Sequence, residues 1–198
     1  MAAVAVTAVT AVLETEGKGM DLVGAIIVGL AASLGGGTLR DVLLTRPVFW
    51  LGEPAYLVCG LVAVVLTFIV ARRVSLPADV FTIPDAVGLA LFTIVGARVA
   101  LALDVPWLAA SLLGVDTGVF GGVLRDVLVN EVPLVMRPGT LYATASWCGA
   151  LVFIALAAFG GGEAMAMAAG GLVVFGMRLA AIRYQLRLPT FHSRGSRD

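Results

Sequence analysis

Eight residues of this chain recur within it. Gly36–Leu43 reads Gly-Gly-Thr-Leu-Arg-Asp-Val-Leu, and 85 residues later Gly121–Leu128 reads Gly-Gly-Val-Leu-Arg-Asp-Val-Leu, identical at seven of the eight positions. Both copies lie in long apolar stretches. There a glycine pair weakens a helix and an Arg-Asp dipeptide is costly to bury. The duplication restricts the chain to architectures made of two related halves. In a membrane, a repeated, glycine-interrupted, charged helix points to a transport pathway.

The membrane follows from composition. The chain is 60% hydrophobic and 13% charged, with mean hydropathy +1.04, where a soluble domain carries about 25% charged residues. Uncharged runs cover 22–39, 54–71 and 138–162, near or above the roughly 18 residues that mark a spanning helix. Shorter runs reach that length once one charge is admitted. The expected fold is an all-α membrane protein with seven transmembrane helices, at 1–15, 21–45, 55–72, 84–103, 105–130, 139–159 and 163–183. They form one domain over 1–188, with repeat one at 1–72, repeat two at 84–159, an extra helix at 163–183 and a flexible cytoplasmic tail at 189–198. The N-terminus lacks a basic region before its apolar run, and Glu14 and Glu16 follow that run, so it does not read as a signal peptide.

Positive charge sets the orientation. With seven spans, Lys18, Arg72, Arg73, Arg137, Arg183 and Arg187 fall on one side, and Arg46 on the other. The positive-inside rule makes the first side cytoplasmic, with the N-terminus outside and the C-terminus inside. The arginine-bearing tail can also touch lipid headgroups.

Three helices per half is an odd number, so the second half is inverted relative to the first. Small residues step by four along the second span (Ala25, Gly29, Ser33, Gly37) and again along the fifth (Ala110, Gly114, Gly118, Gly122). Such ladders allow close backbone approach. Gly35, Gly36, Gly37, Gly121 and Gly122 exceed what a ladder needs and are expected to kink the two spans as pore hinges. Packing alone is the competing explanation.

Arg40, Asp41, Arg125 and Asp126 are expected to be pore or gate charges. Neighbours point about 100° apart on a helix, so the symmetric solution pairs the arginine of one half with the aspartate of the other. Snorkelling to the interface is the alternative. Asp116, midway along the fifth span, is the best cation-attracting carboxylate, unless it neutralises Arg98. Ser33, Thr38 and Thr117 are the polar residues assigned to the pore wall. Tyr56, Tyr142, Trp50 and Trp147 read as interfacial or packing aromatics.

Enzyme signatures are weak. The one histidine, His192, is in the tail, and Cys59 and Cys148 have no metal or redox spacing. Asp116-Thr117-Gly118 spells the aspartic-protease tripeptide, but that chemistry needs two such carboxylates. No phosphate loop, dinucleotide fingerprint or basic face for nucleic acid occurs.

From about residue 2 to 188 the chain resembles the prokaryotic trimeric intracellular cation (TRIC) channel family. The marks are Gly35-Gly36-Gly37-Thr38-Leu39-Arg40-Asp41, Pro47 and Trp50, Asp85–Phe92, the second motif at Gly121–Leu128, and Glu131-Val132-Pro133. The resemblance implies seven helices as an inverted three-plus-three repeat plus one, with a homotrimer and a pore in each protomer. It implies conduction of potassium and other monovalent cations, membrane lipid as partner or bound species, no cofactor, and a pore lined by kinked second and fifth spans. A secondary carrier is the runner-up, because inverted repeats with broken helices suit alternating access. A purely structural membrane organiser is third.

Overall fold

A computed structural model describes residues 1–74, 81–138, 141–160 and 162–188. The predicted tail at 189–198, with His192, and most of the stretch 73–83 between the two predicted repeats lie outside the described residues. The elements are helices α1 (Ala2–Glu14), α2 (Leu22–Leu43), α3 (Phe49–Gly52), α4 (Ala55–Ala71), α5 (Thr82–Leu101), α6 (Trp107–Leu128), a 3-10 turn at Leu134–Met136, α7 (Tyr142–Ala158) and α8 (Glu163–Tyr184). The predicted second and fifth spans are α2 and α6.

The molecule is all-helical and a membrane protein. By length and composition, α2, α5, α6 and α8 can each cross a bilayer. The other long apolar helices, α1, α4 and α7, have 13, 17 and 17 residues, below the ~20 typical of a span. Their surfaces fit an apolar solvent. Val23, Ile27, Val58, Leu66, Leu112 and Leu172 are exposed, which would be an aggregation hazard in water.

The same local chemistry ends α2 and α6. Thr45 (φ 51°) and Asn130 (φ 59°) adopt the left-handed conformation. The Thr45 and Arg46 N–H groups donate to the carbonyls of Val42 and Asp41, and the Asn130 and Glu131 N–H groups to those of Val127 and Asp126. Each is a Schellman stop, and Pro47 and Pro133 follow. At its other end α2 starts on Asp21, whose side chain accepts from Gly24 N at 2.8 Å.

Packing is paired. Helix α1 lies against α2 and α4, and α5 lies against α6 and α7, while α2 crosses α6 and α8 covers α5 and α7. The core between them is built from small residues, among them Ala8, Ala25, Ala97, Ala110 and Ala166, all fully buried. Small side chains let backbones approach closely where hydrophobic burial gives little driving force.

The crossing of α2 and α6 is reciprocal. A Cβ on Gly36 would overlap the carbonyl oxygen of Thr117, and a Cβ on Gly121 would overlap that of Ala32. Residues 32 and 36 therefore meet 121 and 117, and the two helices run antiparallel. Helix is continuous through both glycine clusters. The crossing places Arg40 and Asp41 at one end of the bundle, with Arg46, and Arg125 and Asp126 at the other, with Lys18.

Candidate functional site

Arg40, Asp41, Arg125 and Asp126 are all buried. Burial removes the snorkelling alternative, because none of the four reaches the surface. The crossed pairing expected from sequence does not form either. Arg40 Nε donates to Asp41 Oδ1 at 2.9 Å, and Arg125 Nε donates to Asp126 Oδ1 at 2.8 Å. Adjacent residues do point about 100° apart, but an arginine stem is long enough to curl back to its neighbour, and burial near a helix end leaves that neighbour the nearest counter-charge.

Each aspartate has a second task. Asp41 Oδ2 accepts the N–H of Phe49 at 2.8 Å, and Asp126 Oδ2 accepts the N–H of Leu134 at 2.7 Å. Both acceptors reach eight residues on, to the first residue of the short turn after their helix. The carboxylate thus ties the chain leaving the helix back to its end. The Arg40 guanidinium lies 5.7 Å from the centre of the Phe49 ring.

The two ends then diverge. Arg125 Nη1 donates to Asp85 Oδ1 of α5 at 2.9 Å. Asp85 also accepts from the Tyr142 hydroxyl at 3.2 Å, and its Oδ2 lies 3.7 Å from Arg178 Nη2 of α8. The Arg178 guanidinium sits 4.5 Å from the centre of the Tyr142 ring. Four helices thus meet in one buried group of two arginines and two aspartates. Tyr142, read from sequence as an interfacial or packing aromatic, is buried within it. Sequence reasoning gave Asp85 and Arg178 no role. The available signal was a charge inside an apolar span, present at both positions.

The remaining predicted residues are placed as follows. A Cβ on Gly35 would overlap the Leu124 side chain, Gly37 lies against the Phe49 ring, and Gly122 against the Tyr142 hydroxyl. Thr38 Oγ1 accepts from the Trp50 indole N–H at 2.9 Å and donates to the carbonyl of Leu34. Thr117 Oγ1 donates to the carbonyl of Leu113. Ser33 is fully buried and its Oγ makes no hydrogen bond among the described residues. Asp116 is half-buried, and its Oδ2 is a buried oxygen without a hydrogen-bond partner among the described residues. Arg98 does not neutralise it, because Arg98 pairs with Glu163 of α8. No group of three or more His, Cys, Asp or Glu able to hold a metal occurs among the described residues.

Buried arginine–aspartate pairs thus stand at opposite ends of two small-residue helices of a helical membrane protein, with the half-buried Asp116 between them. The family model described as "Glycine transporter" matches residues 1–72 and 82–158. The UPF0126 inner membrane protein YadS of Escherichia coli K12 is 40% identical over 94% of this chain and 91% of its own. A UPF0126 membrane protein of Vibrio cholerae is 38% identical over 94% and 79%. Among solved structures, the TRIC trimeric intracellular cation channel orthologue from Rhodobacter sphaeroides superposes with a TM-score of 0.88 at 39% identity, covering 93% of this chain and 95% of that one. A prokaryotic TRIC channel crystallised in 0.5 M KCl gives 0.85 at 28% identity, covering 94% and 95%. The chain belongs to this UPF0126 and TRIC-related membrane family. Its family and fold are those of TRIC channels, ion channels rather than enzymes.

Proposed function

We propose that this protein is a monovalent cation channel that passes potassium through a pore within each protomer of a homotrimer. The observation that carries the reading is the superposition on the Rhodobacter sphaeroides cation channel over nearly the whole of both chains. Seven crossings follow when α1, α4 and α7 join the four longer helices, and the charge distribution favours a cytoplasmic C-terminus. The reciprocal contacts of Gly36 with Thr117 and Gly121 with Ala32, and the matched Asp41–Phe49 and Asp126–Leu134 bonds, support an inverted repeat. In this reading, Gly35–Gly37 and Gly121–Gly122 are hinges along the seam, Arg40, Asp41, Arg125 and Asp126 set its field, and Ser33, Thr38 and Thr117 line it. Asp116 is the cation-attracting carboxylate, because its Oδ2 is not consumed by any partner among the described residues.

A glycine carrier is the second reading, favoured by the description of the matching family model and by the suitability of inverted repeats for alternating access. Reconstitution into planar bilayers under a potassium gradient separates the two. Discrete unitary currents that shrink in Asp116→Asn, with oligomer mass unchanged, are expected. Saturable uptake of labelled glycine into vesicles without unitary currents would establish the carrier instead.

A further inference from the structure

A cavity of about 530 Å³ opens at the Arg46 end of the bundle. Arg46 and Arg98 stand in its wall with Glu163, and Leu101, Phe153 and Ala157 form part of its apolar side. We propose that it binds the headgroup of an anionic phospholipid, with the acyl chains lying on the apolar wall.

The argument starts from unused donors. A guanidinium has five N–H donors in a fixed fork that suits a phosphate. Arg98 gives its Nε to Glu163 Oε1. Arg46 lies 3.5 Å from Asp41 Oδ1, an oxygen that already accepts from Arg40 Nε. Asp41 Oδ2 is taken by the N–H of Phe49. Among the described residues the Arg46 charge is therefore weakly answered, and most donors of both arginines have no partner there and suit an outside acceptor. Their side chains are 38% and 52% exposed, so a ligand can reach them.

Position selects the ligand. Arg98 is one turn from the end of α5, Glu163 begins α8, and Arg46 follows α2. All three sit where apolar helices end, the depth of lipid phosphates. A soluble anion would use the arginines but leave the wall of Leu101, Leu103 and Ala157 wet. A phospholipid satisfies both. Glu163 competes with the phosphate for Arg98, so the site is weakened by the protein's own carboxylate.

The test is native mass spectrometry of the purified oligomer titrated with dioleoyl phosphatidylglycerol or, separately, dioleoyl phosphatidylcholine. Both lipids offer the arginines a phosphate, but the choline ammonium offsets its charge, so phosphatidylglycerol adducts should exceed phosphatidylcholine adducts about tenfold. Arg46→Gln with Arg98→Gln should bring the two lipids level, while Arg72→Gln with Arg73→Gln, at the other end, should not. Glu163→Gln should raise phosphatidylglycerol retention, and this holds the proposal to account even if the double arginine variant misfolds. Equal retention of both lipids by the unsubstituted protein would overturn the site. So would displacement of phosphatidylglycerol by millimolar inorganic phosphate, which would make it a soluble-anion site. A fall in oligomer mass in Glu163→Gln would also overturn it, by showing that a second copy covers the cavity.

Discussion

At the scale of single residues, the two Arg-Asp pairs are alike in sequence and unlike in support. Asn at position 41 keeps an oxygen for the Phe49 N–H but removes the carboxylate bonded to Arg40. Asn at position 126 does the same to Arg125, which still holds Asp85. Breaking a buried pair by removing one partner costs about 3–5 kcal/mol. Asp41→Asn is therefore expected to lower the melting temperature clearly more than Asp126→Asn. A double-mutant cycle should couple Arg40 to Asp41 and leave Arg40 and Asp126 uncoupled; equal losses, or coupling across the halves, would contradict the pairing described above. The repeat made the four charged residues of the motifs legible, since nothing but function or a specific partner keeps such charges in apolar helices. It could not name their partners. Asp85, Tyr142 and Arg178 reach Arg125 or one another across tens of residues, in helices whose own patterns are merely apolar, and only tertiary packing brings them together.

At the scale of elements, glycine reverses sign between sites. Helix propensity alone makes Gly→Ala favourable by up to about 1 kcal/mol. At the crossing of α2 and α6, the added methyl would meet a backbone carbonyl, of Thr117 for Gly36 and of Ala32 for Gly121. Backbone cannot step aside as a side chain can, so the helices must part. Gly36→Ala and Gly121→Ala should each cost about 1–3 kcal/mol, in similar measure. Gly176 in α8 faces open space, and Gly176→Ala should gain about 0.5–1 kcal/mol. Thermal unfolding in one detergent compares all three; a stabilised Gly36→Ala would refute the close crossing. The helices themselves were readable. The expected spans 21–45 and 105–130 contain α2 and α6 with a few residues to spare, because apolar length and the Pro47 and Pro133 stops are local. Helix α3 and the 3-10 turn were not anticipated. Each begins where an aspartate captures an N–H eight residues later, and no local pattern announces that.

At the scale of the whole molecule, a polar link ties the end of α1 to the end of α6. Lys18, after α1, pairs with Glu131, after α6, and Arg137 lies 3.3 Å from the same carboxylate. The hydrogen bond from Lys18, then its charge and that of Arg137, hold the Glu131 carboxyl below its ordinary value. A carboxyl lowered in the folded state stabilises above its unfolded pKa, and the contribution disappears as pH falls through its folded value. The pair is exposed, so the effect is small and screened by salt. Melting temperature should fall on acidification below the usual glutamate range, and part of that fall should be absent in Glu131→Gln; the same acid limb in both proteins would remove the link from the account.

Under the inverted repeat proposed above, helix α8 is the extra helix and belongs to neither half. It lays the buried Arg178 beside Asp85 and Tyr142 at the Lys18 end, whereas at the Arg46 end the second guanidinium is the far more exposed Arg46, 3.5 Å from Asp41. Two identical inverted halves would look the same from either side of a membrane, and a pore between them would pass ions equally in both directions. The added guanidinium breaks that equivalence. Under the channel reading, current at positive and negative voltage should therefore differ in size under identical solutions on both sides. Arg178→Gln, reconstituted in one orientation, should bring the two limbs of the current–voltage curve closer together. The unpaired helix would then be the part of the fold that gives a nearly symmetric passage a forward and a reverse.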